Sequence, residues 1–166
     1  VESITLDDIT YGTTGWNGLA QSNFEKIEAF INTDLWENAL ILADSAEINC
    51  QTTTKQTIFT VPSGKLFIPV YLVVHSPSAS LAGMTDFDLG AGTNADDWLQ
   101  QISLDSFTAT TDYGILMQPE QDAGPPIVPI KKTIYSAGAE WGVKITTGSS
   151  SAATAVFDLF GYLIDN

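Results

Sequence analysis

From Gln56 to Val74 the chain reads as two runs rich in β-branched and aromatic residues, divided by Pro62-Ser63-Gly64-Lys65. Proline sets one corner of a turn and glycine is free to take a positive φ at the next, so the divider is a strong turn signal. The first run, 56–61, has Ile58 and Phe59 near its centre. The second, 66–74, is almost continuously apolar, a pattern that suits a strand covered on both faces. Together they predict a hairpin at the centre of a sheet. No helical period follows residue 36. Further strand candidates fall at 39–42, 48–50, 84–89, 98–104, 113–117, 132–135, 140–146 and 155–164, separated by clusters of Gly, Asn, Asp and Thr. Four prolines between 119 and 129 predict an extended, exposed loop there. About eight short strands with frequent turn signals predict a mainly β fold, an antiparallel β-sandwich or jelly roll, because an α/β fold would need alternating helices.

The front of the chain reads differently. Residues 11–18 carry three glycines around Trp16, which is turn chemistry. Ser22 followed by Glu25 forms a capping box. Phe24, Ile27, Ile31 and Leu35 then recur at spacings of 3, 4 and 4, a single stripe on a 3.6-residue period. The spacing predicts one helix of about 13 residues, too short to hold alone in water. Its stripe therefore needs a surface, whether the chain's own β domain, a second copy or another protein, and Phe30, lying off the stripe, favours contact on more than one side. The expected division is an N-terminal arm and one short α-helix over 1–36, then the β domain over 37–166.

Charge narrows the partners. Six lysines and no arginine stand against 20 acids, a formal net charge of −14. Nucleic acid and anionic membrane surfaces both require a basic footprint, so neither is an expected partner. Without arginine the planar two-pronged grip on phosphate is missing too. At 44% apolar and 16% charged, the composition still supports a packed core. Cys50 is the single cysteine, which excludes an intramolecular disulfide, and it reads as a buried small hydrophobe rather than a reactive thiol. With no apolar run of about 18 residues and no basic-then-apolar start, the chain is expected to be soluble as written.

Catalytic chemistry finds few footholds. His75 closes the 66–74 run, but no Gly-x-Ser-x-Gly elbow supplies a nucleophile for it, which favours a surface or strand-edge histidine. One histidine and one cysteine cannot build the usual zinc site within a chain. The densest group of oxygen ligands runs from Asp86 to Asp97. Asp86 and Asp88, two apart, point the same way on a strand, and Asn94, Asp96 and Asp97 could return ligands across a glycine loop. Calcium is the metal such a set would suit, and a solvated acidic turn is the alternative. The pattern is not an EF-hand, since Gly90 and Ala91 stand where that loop needs a ligand and a glycine. Glycoside hydrolysis needs a pair of opposed carboxylates, and among 20 acids no pair is singled out. Trp16, Trp36, Trp98 and Trp141 could stack on sugars, although core or interface packing accounts for them as well. No cofactor and no enzymatic activity are expected.

The segment Tyr11-Gly12-Thr13-Thr14-Gly15-Trp16-Asn17-Gly18, followed by Asn23-Phe24-Glu25-Lys26-Ile27 and Phe30, resembles the Trp-Asn-helix segment near the front of many tailed-bacteriophage virion proteins. The stretch from Gln56 through Val61-Pro62-Ser63-Gly64-Lys65 is similar to the strand and turn that open small β-sandwich modules of phage decoration, fibre and tail proteins. The two cover about a quarter of the chain. The resemblance implies a non-enzymatic capsid decoration or cement protein on the virion exterior, partnered by the major capsid protein or another virion protein. A trimer would give each helix neighbours around a three-fold axis. The expected interface residues are Trp16, Phe24, Ile27, Phe30, Ile31, Leu35 and Trp36. A head-fibre or tail module that recognises host-surface glycans, and a secreted carbohydrate-active enzyme, are the competing classes. Residues 1–50 hold nine acids and one lysine, so the partner should be both basic and apolar at the contact.

Overall fold

The computed structural model describes residues 23–27, 39–118 and 134–166. The chain divides into two compact units, Val1–Ala39 and Leu40–Asn166. In the first, residues 23–27 are helical, with Phe24 exposed and Ile27 half-buried. Ser22 and the expected continuation of the helix through Phe30, Ile31 and Leu35 lie outside the described residues, as do Trp16 and Trp36.

The second unit holds nine strands among its described residues: β1 (Ile41–Asn49), β2 (Gln56–Thr60), β3 (Lys65–His75), β4 (Asp86–Gly90), β5 (Leu99–Ile102), β6 (Gly114–Leu116), β7 (Tyr135–Ser136), β8 (Glu140–Thr147) and β9 (Thr154–Asp165). One sheet runs β1-β9-β3-β6, with the short β7 beside the start of β3, and the other runs β2-β8-β4-β5. All pairings are antiparallel. Leaving aside β7, successive strands alternate between sheets except at the β4–β5 hairpin. This is the winding of a jelly roll, the more specific of the two expected architectures.

That winding overturns the expected hairpin. β2 pairs with β8 and β3 with β9, so the Pro62–Lys65 turn joins the two sheets instead of two neighbours in one. Phe59 and Phe67 meet across the core with their rings tilted by 59° and centroids 4.9 Å apart, so the two runs touch through side chains rather than through backbone. The carbonyl and amide of Val61 are already paired with Gly138 N and Ala139 O, at 2.8 and 3.0 Å. Gly64 does take a positive φ, +75°, but Ser63 rather than Pro62 occupies the first corner, with Lys65 N donating to Pro62 O.

The 66–74 run also departs from expectation, because it is covered on one face only. Phe67, Pro69, Leu72 and Val74 are buried, while Ile68, Tyr71 and Val73 are partly open and Val70 is exposed. A sandwich strand has one core face, and the apolar residues on the other face need a separate explanation. Pro69, which cannot donate to a ladder, stands at a register shift between the stretch of β3 paired with β7 and the stretch paired with β6. The candidates at 39–42 and 48–50 are one strand, β1, whose polar middle of Asp44 and Ser45 is exposed.

Side chains from both sheets form a single core. Phe87 of β4 meets Phe157 of β9 edge-on at 6.3 Å, and Trp98 meets Trp141 in the same manner at 5.3 Å. Trp98 and Trp141 are thus core residues, as strand-like runs implied. Cys50 is fully buried, its thiol facing Ile48 O at 3.6 Å, and burial raises its pKa from about 9 to about 11. The folded state disfavours the thiolate, whereas an unfolded chain ionises near pH 9. The thiol's contribution is therefore complete below pH 9 and lost as pH rises through about 11. Between these values, urea melts of the native protein should lose stability relative to Cys50→Ala; parallel curves would show that the thiol does not ionise differently on folding.

Candidate functional site

Two surfaces of the β unit carry chemistry. The first is the outward face of the five-stranded sheet. Side chains alternate along antiparallel strands, so residues in register across strands share a face. Leu42, Phe160 and Tyr71 form one outward row across β1, β9 and β3. Ser45, Asp158, Val73 and Ile115 form the next, across β1, β9, β3 and β6. Tyr71 stacks on Phe160 with centroids 4.7 Å apart. Ile115 is 57% exposed and Leu42 49%, with Val70 and Tyr162 also open on these strands. The result is a contiguous apolar field, where isolated surface hydrophobes would have no special meaning.

The field has a polar end. His75 Nε2 lies 3.0 Å from Asp158 Oδ2 and its Nδ1 lies 2.9 Å from Ser76 Oγ, while Ser45 donates to Asp158 Oδ1 at 2.5 Å. Ser, His and Asp are therefore in contact, but on an open sheet face, with the serine following directly in sequence and held at φ +50°. The network ties β1, β9 and β3 together, which matches the reading of His75 as a strand-exit histidine.

The second surface is a groove of about 750 Å³ at one end of the four-stranded sheet. Thr54 and Lys55 reach it from the β1–β2 loop, Ala91, Gly92, Thr93 and Asp97 from the β4–β5 loop, and Gly138 and Ala139 from the turn before β8. Glu140 and Lys144 project from β8. Lys55 Nζ donates to the Glu140 carbonyl at 2.5 Å, and partial burial lowers the lysine's pKa, against the pull of the Glu140 and Asp97 charges.

Of the four aspartates expected to gather around calcium, Asp88 and Asp97 hold separate hydrogen-bond partners. Asp86 and Asp88 do share the outward side of β4, as their spacing requires. Asp88 Oδ1 accepts from Gln101 N at 2.9 Å. Asp97 Oδ1 accepts from Ala91 N at 2.7 Å and from the Tyr135 hydroxyl at 3.0 Å, so this carboxylate braces its own loop. Burial, and then the charge of Asp97, push the Tyr135 phenol well above its usual range. The Trp141 indole N–H acts against that shift, although it is buried and makes no full hydrogen bond. Asp96 has its own partner. Among the described residues, no three His, Cys, Asp or Glu side chains are arranged to hold a metal ion. No helix among them is long and apolar enough to cross a membrane.

Among the described residues, the fold and its surfaces define an antiparallel jelly-roll β-sandwich with an apolar outer face and a groove bordered by charged and hydroxyl side chains. Comparison of the chain with protein-family models, with curated proteins and with solved structures found no match.

The lysines and Glu140 of the groove had no signature in the sequence, since 85 residues separate Lys55 from Glu140 and only strand pairing joins them. The apolar outer face did have one. In the 66–74 run, apolar residues occupy both strand parities, an excess that a one-sided sandwich strand does not require.

Proposed function

We propose that the protein is a non-enzymatic virion structural component, a capsid decoration or cement protein of a tailed phage. It assembles as a trimer on the shell exterior, with the major capsid protein or another virion protein as partner. The apolar outer face of the five-stranded sheet carries this reading, because a field of adjacent Leu42, Tyr71, Val73, Ile115 and Phe160 is what a docking surface presents. The jelly roll supports it at the level of architecture, being a common build for capsid domains. So does the resemblance of the 11–30 and 56–65 segments to phage virion proteins.

The test is assembly. In light scattering after size exclusion, the native protein should run as a trimer or bind purified shells. Tyr71→Asp combined with Phe160→Asp should reduce assembly at least tenfold while leaving the far-ultraviolet circular dichroism of the β unit unchanged. Assembly of the double variant at native strength, or a native protein that stays monomeric and ignores shells, would overturn the proposal.

A further inference from the structure

The groove at the end of the four-stranded sheet supports a ligand assignment independent of assembly. Its volume, about 750 Å³, is within the range of small-molecule sites. Gly92 and Gly138 line it with positive φ, and no atom lies within 4 Å of where a Cβ would stand on either. The walls are therefore open at these positions, and a ligand can approach the backbone closely.

The polar groups around this opening select a ligand class. In a chain of net charge −14 most of the surface repels anions, whereas here Lys55 and Lys144 stand together among the lining acids Asp97 and Glu140, with Asp88 the cross-strand neighbour of Lys144. A lysine ammonium is a compact charge with three donors, suited to a single carboxylate rather than to a two-pronged grip. Lys55 is held in place by its bond to the Glu140 carbonyl. The Asp97 carboxylate is oriented by the Ala91 amide and the Tyr135 hydroxyl. Oriented carboxylates accept from hydroxyl groups, and Thr54 and Thr93 can both donate and accept. A phosphate dianion would meet about twice the repulsion from Asp97 and Glu140 that a single carboxylate meets. A neutral sugar would give the two ammonium groups no anion to bind, and the lining residues include no aromatic platform to hold it instead.

We propose that this groove binds a carboxylate-bearing saccharide, with the carboxylate held by Lys55 and Lys144 and the hydroxyls held by Asp97, Glu140, Thr54 and Thr93.

Titration calorimetry of the full chain with glucuronic acid and with N-acetylneuraminic acid, and with glucose as the neutral counterpart, tests the assignment. At least one acidic sugar should bind saturably with a dissociation constant of about 1 mM at low salt. Binding should weaken at least tenfold in Lys144→Gln and in Lys55→Gln, and glucose should give no saturable signal. Lys65→Gln is the control for charge alone, since Lys65 pairs with Asp165 at 2.8 Å and is not part of the groove lining. Lys55 also braces a loop, so a thermal melt accompanies each variant and Lys144→Gln is the decisive one. Failure of both acidic sugars to bind, equal binding of glucose, or native-strength binding by a folded Lys144→Gln would each overturn the proposal. Loss of trimer or shell binding would leave this result untouched, so the two proposals fail separately.

Discussion

Truncation of Phe157 to alanine is expected to lower the free energy of unfolding by about 3–5 kcal/mol. Phe157 stands in β9, between Ala46 of β1 and Val74 of β3. It is fully buried and meets Phe87 of the opposite sheet edge-on. Removing the ring deletes apolar burial and also leaves a cavity that two hydrogen-bonded sheets cannot close by moving together. Against a typical domain stability of about 5–15 kcal/mol, this is about a third or more of the total for a domain near the middle of that range. Urea denaturation should show a lower midpoint with an unchanged slope. A loss below about 1.5 kcal/mol would mean that the core repacks around the gap and that this contact does not join the sheets.

The second large effect comes from adding a single carbon. Gly142 of β8 lies opposite Thr57 of β2, and a Cβ on it would collide with the Gln56 carbonyl oxygen and approach Thr57 Cα within 2.9 Å. These are backbone atoms of the neighbouring strand, so no side chain can rotate away. Gly142→Ala is expected to cost about 3 kcal/mol and to loosen β2 from β8. Gly92→Ala gives the contrast, since its Cβ meets nothing and only the φ of +71° resists, for about 1 kcal/mol. Comparing the two by thermal melts separates crowding from backbone strain. Equal shifts would show that strand spacing near Gly142 adapts to the methyl group.

Where strands lie was largely legible in the sequence. Runs at 84–89, 140–146 and 155–164 became β4, β8 and β9 with ends moved by one or two residues, because β-branched and aromatic clusters bounded by Gly, Asn and Asp are local signals. The identity of each strand's partner was not. The 56–61 and 66–74 runs look like a hairpin, since a tight turn joins them, yet a jelly roll uses the same turn to cross between sheets. Hairpin and crossover present the same turn residues and the same alternation, and they differ only in where distant strands β8 and β9 arrive. The candidate sites divide in the same way. The aspartates at 86, 88, 96 and 97 are close in sequence and look like a ligand set, but Asp97 turns toward Ala91 and Tyr135, a residue 38 positions away.

The sequence by itself determined a β domain with a packed core, a helix signal at the front, a buried lone thiol and a surface poor in positive charge. Those properties follow from composition and from periods of two to four residues, which act over a few neighbours. The tertiary structure alone decided that β1, β9, β3 and β6 present one apolar face, and that Lys55, Asp97, Glu140 and Lys144 border one groove. Both depend on pairings between strands tens of residues apart, and burial of the common core sets those pairings without leaving a local mark on any one segment.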